Sequence, residues 1–370
     1  MMVHFRKRFP KEAIDEINEL IFLSKARDAD DRDKPKGPGA GAESPSKERP
    51  ANKGKLVLDA TCAPADIRYP TDLSLLDESR ENAERISDML LNPSPAQKRK
   101  NQHERKKARR AFLSIIRQKR PGIRKVKAAI KKQLKYIRKC IEEIDEHLHE
   151  NGIDSLKEKH LQRFMTICEI YHQQSTMLKN DTRQCEDRIV SLRQPHIWPM
   201  VRGKAGKKYE FGQKMAISVV GGYTFIEEQS FENFNEGALL ISSVEKYKER
   251  FGFYPEAVLA DQIYRSQKNI NYCKRHGIRI SGAKLGKPQE EFVDEQDYQD
   301  YCERNIVESR IGISKRRFGL DLIMCYLPET SLTEAALQVL CTNFSVWFSF
   351  LSSFFNFCRF RFLPLSFTYA

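Results

Sequence analysis

The chain has 370 residues, with 64 Lys or Arg against 50 Asp or Glu and a formal charge of +14. This length predicts two or three domains, and a 40% hydrophobic share beside 31% charged residues excludes collagen, full disorder and a multi-span membrane protein. So large a cation surplus predicts a polyanionic partner, either nucleic acid or an anionic surface. Residues 10–24 carry Ile14, Ile17, Ile21 and Phe22 at helical spacing, and no apolar core of signal-peptide length precedes them. Residues 25–55, with Pro35, Gly37, Pro38, Gly39, Gly41, Pro45 and Pro50 among many charges, predict a flexible linker. Leu56-Val57-Leu58 then reads as a short buried strand ending at Asp59.

Residues 72–92 read as a helix. From Lys98 to Lys139 the chain holds 19 Lys or Arg and one acid, Glu104, for a charge of +18, which leaves 14 − 18 = −4 for the rest. The basic character therefore belongs to one segment. It has helical order: Ile130, Leu134, Ile137, Ile141, Ile144 and Leu148 recur every three or four residues, and Asn151-Gly152 makes a turn. A second seam runs from Leu161 through Phe164, Cys168, Tyr171, Ser175, Leu178, Thr182, Cys185 and Ile189 to Leu192. Together the two seams predict a helical hairpin over 123–193. Its exposed cations, Lys125, Lys131 and Lys132 among them, either touch a nucleic-acid backbone or simply keep the helix soluble.

From Tyr209 the pattern partly alternates to Val219, Gly221-Gly222 turns, and Tyr223-Thr224-Phe225-Ile226 returns as a hairpin. Helices are predicted over 235–250, 266–276 and 298–318, and strands at Ala257–Ala260 and Ile278–Ile280. This is an α/β plan with a mixed sheet, and the helical block lies between its first and second strands. The 24 uncharged residues Ala335–Cys358 are long enough to span a bilayer, but Gln338, Thr342, Asn343, Ser345, Ser349, Ser352, Ser353 and Asn356 interrupt them. They predict a buried helix and an irregular aromatic tail, with no membrane role. Nine cysteines, irregularly spaced and with no Cys-x-x-Cys pair, predict free thiols in a reducing compartment and no zinc ribbon.

Two apolar strands each lead into an aspartate, Asp59 and Asp261. If the strands are parallel neighbours, the carboxylates emerge side by side, and a hard divalent cation relieves their repulsion. Taken singly, either aspartate is as well read as a turn or helix cap. Tyr301, Arg304, Glu308 and Lys315 stand at offsets of 3, 7 and 14. At about 100° per residue they share one helix face within about 60°, ahead of Arg316 and Arg317. That stripe suits a helix laid across a phosphate backbone, although a charged helix is also read as an ordinary ion-paired surface.

The pattern Tyr-x2-Arg-x3-Glu-x6-Lys at Tyr301, Arg304, Glu308 and Lys315 resembles the signature of the DDE transposases of bacterial insertion sequences. Leu58-Asp59-Ala60-Thr61 and Ala260-Asp261-Gln262-Ile263-Tyr264 resemble that family's first and second acidic motifs. Arg202-Gly203-Lys204, Glu210-Phe211-Gly212 and Asn233-Phe234-Asn235-Glu236 are similar as well. The resemblance spans roughly residues 1–335. It implies a ribonuclease-H-like mixed sheet with a large inserted helical hairpin. It further implies Asp59, Asp261 and Glu308 as catalytic residues and metal ligands for two Mg²⁺ ions, with Mn²⁺ as a substitute. Tyr301, Arg304, Lys315 and Arg316 would bind DNA, joined by Lys125, Lys131 and Lys132 of the basic hairpin. The implied reaction is 3′-end cleavage and strand transfer on double-stranded DNA, both element ends and target, by a homodimer in the bacterial cytoplasm at the nucleoid.

The expected organisation is a helical remnant at 1–24, a linker at 25–55 and the first catalytic strand at 56–71. An inserted basic region follows at 72–200, then the rest of the catalytic domain at 201–335 and an apolar tail at 336–370. Family members usually carry a DNA-end-recognition region upstream, and the Phe-rich tail does not resemble the family's ending. Both features predict a truncated or frame-shifted copy. Two rival readings follow: an inactive DNA-binding remnant, and a nuclease that cuts without joining.

Overall fold

The computed structural model describes residues 8–30, 51–201, 209–282 and 295–362. The chain forms two compact units, one of residues 1–66 with 212–370 and one of residues 67–211. Most of the expected linker, the Arg202-Gly203-Lys204 motif and the last eight residues lie outside the described residues.

The first unit is built on a mixed sheet. Helix α1 (Lys11–Asp30) precedes strand β1 (Lys55–Pro64), and after the second unit come β3 (Tyr209–Val220) and β4 (Tyr223–Ser230). Helix α6 (Leu240–Phe251), β5 (Ala257–Leu259), α7 (Gln267–Arg275) and β6 (Arg279–Ile280) follow, then α8 (Glu295–Phe318) and α9 (Pro328–Phe362). Strand β1 is the centre: it runs antiparallel to β3 and parallel to β5, which in turn pairs in parallel with β6. The β3–β4 hairpin closes through Gly221 and Gly222, both at positive φ (55° and 86°), which only glycine adopts freely.

Alternation along the strands sorts the apolar side chains into two layers. Val57, Ile217, Val219 and Leu259 pack with Val307 of α8 and Ala335, Ala336 and Val339 of α9. Leu56, Leu58 and Val258 pack on the other side with Val244 and Tyr247 of α6 and Cys273 of α7. A buried polar tie joins α1, β4 and α9. Asn343 accepts from the Thr224 amide (2.8 Å) and donates to the Thr224 carbonyl and to Asn18 Oδ1 (2.7 and 2.6 Å).

Several expectations need correction. Strand β1 does not end at Asp59, because β3 keeps it paired as far as Pro64. Residues 25–30 continue α1, since no Gly or Pro stops that helix before Pro35. At the other end of the supposed linker, Asn52 and Lys53 are already tied to the carbonyls of His276 and Tyr254. The aromatic tail is helical to Phe362, with no Gly or Pro until Pro364. Among the described residues no helix is long and apolar enough to cross a membrane, and no disulfide forms.

The second unit is helical. It contains α2 (Asp72–Leu91), α3 (Pro95–Ile116), α4 (Ile123–Asn151) and α5 (Glu158–Lys179), with the short strand β2 (Pro199–Val201) pairing Tyr209–Phe211. Thr71 and Ser74 form a reciprocal cap at the start of α2, and Pro121-Gly122 separates α3 from α4. The α4–α5 pair turns through Gly152 (φ 82°), and α2, the helix expected over 72–92, packs on it together with α3, which was not separately expected. Helix α5 ends at Lys179 and not near Leu192. Asp181 is left-handed (φ 51°) and the Thr182 amide turns back to the Met177 carbonyl. Ile189 and Leu192 are buried, as their seam required, but on irregular chain. At the centre the Arg80 guanidinium, 1% exposed, bonds Asp77 (2.7 Å), Glu84 (2.6 Å) and Gln133 (3.1 Å).

Candidate active site

The parallel ladder of β1 and β5 pairs Lys55 with Ala257 and Val57 with Leu259, a constant offset of 202 residues. Carried two residues further, the same offset brings Asp59 level with Asp261. Strand β5 has stopped by then, and Asp261 caps the short turn Gln262–Tyr264 by accepting from the Gln262 amide at 2.7 Å. Asp59 is therefore a mid-strand residue standing at the open end of a shorter neighbour. Its Oδ1 accepts only the amide of Ala60, at 2.8 Å, among the described residues.

Helix α8 supplies the third acid. Val307, fully buried under the sheet, fixes which way α8 faces, and Arg304 and Glu308 flank it one turn apart. The Arg304 guanidinium lies 3.8 Å from Asp261 and 3.8 Å from Glu308, so one cation joins two acids from different elements. Both acids are exposed (64% and 61% of the side chain), whereas Arg304 is only 21% exposed. Burial pushes the Asp59 carboxyl above its usual range. The Ala60 amide and Arg304 pull it back, and Glu236 and Glu308 push it further up. Among the described residues no three His, Cys, Asp or Glu side chains stand close enough to hold a metal ion as they are placed.

Tyr301 is exposed on α8, Lys315 is half-buried and Arg316 exposed. Gly312 does not break the helix, which continues to Phe318. Lys125, Lys131 and Lys132 are exposed on α4, opposite the buried seam of Ile130, Leu134 and Ile137. The cations of this unit fall into two sets. Arg105, Arg109, Lys127, Arg138 and Lys139 pair with acids, while Lys125, Lys131, Lys132 and Lys135 have no acid partner among the described residues. Lys132 and Lys135 line a groove of about 240 Å³ with Lys107, Ala111 and Tyr136. Lys107 and Tyr136 were not singled out from sequence, because their approach depends on how α3 folds back on α4.

Sequence reasoning also passed over Glu236 and Lys214. Glu236 opens the turn Glu236–Leu239, and Lys214 on β3 meets it at 2.8 Å. Glu236 did stand in a noted motif, Asn233-Phe234-Asn235-Glu236, but nothing in its spacing tied it to Asp59.

Asp59 on β1, Asp261 at the β5 end and Glu308 on α8 thus lie at one end of a mixed sheet, and Arg304 faces the last two. Residues 258–345 match the family model of the transposase DDE domain, and this match supports a DDE transposase. The matched stretch holds Asp261, Arg304, Glu308 and Lys315, while Asp59 lies before it. No curated protein matches the chain.

Proposed function

We propose that this protein is a DNA transposase that cuts element ends and joins the resulting 3′ hydroxyl to target DNA. The single observation carrying this reading is that Arg304 faces Asp261 and Glu308 at 3.8 Å each, with Asp59 level with Asp261 at the place where β5 stops. The strand order β4-β3-β1-β5-β6, antiparallel on one side of β1 and parallel on the other, supports a ribonuclease-H-like reading of the sheet.

The three acids offer only carboxylate oxygens, a donor set that fits a hard divalent ion such as Mg²⁺. Asp59, Asp261 and Glu308 would hold it, and once bound it would activate the attacking oxygen and offset charge on the phosphate. The chain's own groups do the rest. Asp59, half-buried in the sheet, is the fixed member, and the two exposed acids can swing toward it. Arg304 can exchange its carboxylate partners for phosphate oxygens, and Lys315 and Tyr301 extend the same stripe along the backbone. This is catalysis by placement and charge stabilisation. The unpaired cations of α4 would grip duplex DNA through its phosphates. Joining two ends to one target calls for two protomers acting together.

The test uses DNA fragments from both flanks of the gene, incubated with protein and Mg²⁺ or Mn²⁺. Cleavage is expected from the wild type and none from Asp59→Asn or Glu308→Gln, with DNA affinity within about twofold in all three. Undiminished cutting by either variant refutes the triad. If the wild type itself fails to cut while still binding, the chain is a binding remnant. Pre-cut ends then separate a joining enzyme from a simple nuclease.

A further inference from the structure

Helices α3 and α4 lie side by side in the second unit, and one buried amide sets their alignment. Gln133 on α4 is 1% exposed and donates to the Ala108 carbonyl of α3 at 3.2 Å, while its own oxygen accepts from Arg80. With that alignment fixed, Lys107 and Ala111 on α3 face Lys132, Lys135 and Tyr136 on α4 across the groove of about 240 Å³. Ala111 is the small residue of the set and leaves open the space that a longer side chain would fill. Among the described residues no acid lines this groove, and none of its three lysines has an acid partner.

Tyr136 is half-buried beside these cations. Among the described residues its hydroxyl has no hydrogen-bond partner, and no aromatic ring or ammonium lies over its ring. Three like charges gathered around one recess repel each other, and an anion entering it relieves that cost. A duplex keeps its bases stacked inside and offers such a face only phosphates, for which the lysines alone would suffice. An unpaired strand offers a phosphate to an ammonium and a bare base to an aromatic ring, and this groove sets both kinds of group together. The size agrees. The groove falls just short of the ~300 Å³ at which sites for drug-sized ligands begin, which is room for one base and not for a stack of them.

We propose that the α3–α4 groove takes one nucleotide of an unpaired DNA strand, with its base stacked on Tyr136 and its flanking phosphates held by Lys107, Lys132 and Lys135. That the strand is DNA rests on reading this chain as a transposase, whereas the preference for an unpaired nucleotide rests on the groove alone. Every base has a π face, so the groove holds a strand without reading its sequence.

The experiment is fluorescence-anisotropy titration of the full-length protein, in EDTA so that no strand is cut. Three labelled DNAs are compared: an intact duplex, the same duplex with a short single-stranded gap, and the gapped duplex with abasic residues in the gap. The wild type is expected to bind the gapped duplex about tenfold more tightly than the intact one, the order of one stacked base. The abasic gap should lose that preference, which separates stacking from the greater flexibility of gapped DNA. Tyr136→Leu should lose it as well, while Tyr136→Phe keeps the ring and should keep the preference. The abasic arm needs no variant, so it stands even if Tyr136→Leu folds poorly. Equal affinity of the wild type for gapped and intact duplex, or a preference that survives abasic residues or Tyr136→Leu, overturns the inference and leaves the transposase reading untouched. A wild type that never cuts with Mg²⁺ yet shows the full pattern overturns the transposase reading and supports the groove as a site for unpaired strands.

Discussion

Asp59 shows at a single residue how a carboxylate held in a sheet works against stability. Its carboxyl ionises near 3.8 in the unfolded chain and at a higher pH in the fold, chiefly because burial penalises the charge. As pH rises from 3.8 through the folded value, the unfolded chain releases a proton that the folded chain keeps. Stability falls across that window, and the deficit persists above it. Asp59→Asn removes the penalty. In buffer with EDTA at pH 7 it should melt about 2–4 °C above wild type, and near pH 3 the two should coincide. Equal melting curves at both pH values would show that Asp59 carries no such penalty. Gly212 is a second informative residue. Its absent Cβ would lie 2.1 Å from the Ala63 carbonyl oxygen, where β3 crosses β1. Gly212→Ala should cost roughly 2 kcal/mol or more in a denaturant titration. At this scale the sequence was informative where chemistry sits on a strand. Asp59 and Asp261 could be paired from two apolar runs, and Gly212 stood in a noted motif. The fastening of the Glu236 turn to the turn after Asp261 could not be reached, because it passes through Gly237 and Asn269, which no periodicity connects.

Among the elements, α2 and α4 are joined by a charge that has no water to fall back on. The Arg80 guanidinium is shared by Asp77 and Glu84 of its own helix and by Gln133 of α4. Arg80→Met leaves Asp77 buried without a cation and Glu84 with Arg105 alone, which costs about 3–5 kcal/mol. Circular dichroism should show helix lost at a lower temperature than in the wild type, and an unchanged transition would place the strength of this unit in its apolar seam alone. The seam itself was readable, since Ile137 and Ile144, both fully buried, fall at helical spacing. The end of α5 was misread because the apolar recurrence runs on through Ile189 and Leu192. Burial was conserved there while helical geometry was not. Asn180-Asp181, residues that tolerate left-handed backbone, were the better stop signal. Similarly, α8 was placed closely from its Tyr301–Lys315 stripe, but the pairing of Arg304 with Asp261 needed the sheet.

For the whole molecule, the proposed grip on DNA would come from the surplus of cations gathered in 98–139. Changing Lys125, Lys131 and Lys132 together to Gln should reduce the slope of log affinity against log salt by roughly 2–3, if each meets one phosphate. Filter binding across a salt series measures this, and an unaltered slope would make that face a solubilising one. Strand-like and helix-like texture alternating along the chain sets the helical block apart from the strand residues that flank it in sequence. The attachment of that block could not be read this way, since it depends on pairing between residues 148 positions apart, Pro64 and Gly212. That pairing has a wider consequence. The chain leaves the sheet and returns to it at two points already stapled by the β1–β3 ladder, so the sheet spends no extra loop entropy on whatever lies between. The helical cassette can lengthen, shorten or change its charge over evolutionary time while the strand carrying Asp59 keeps its register, which leaves the two units free to diverge separately.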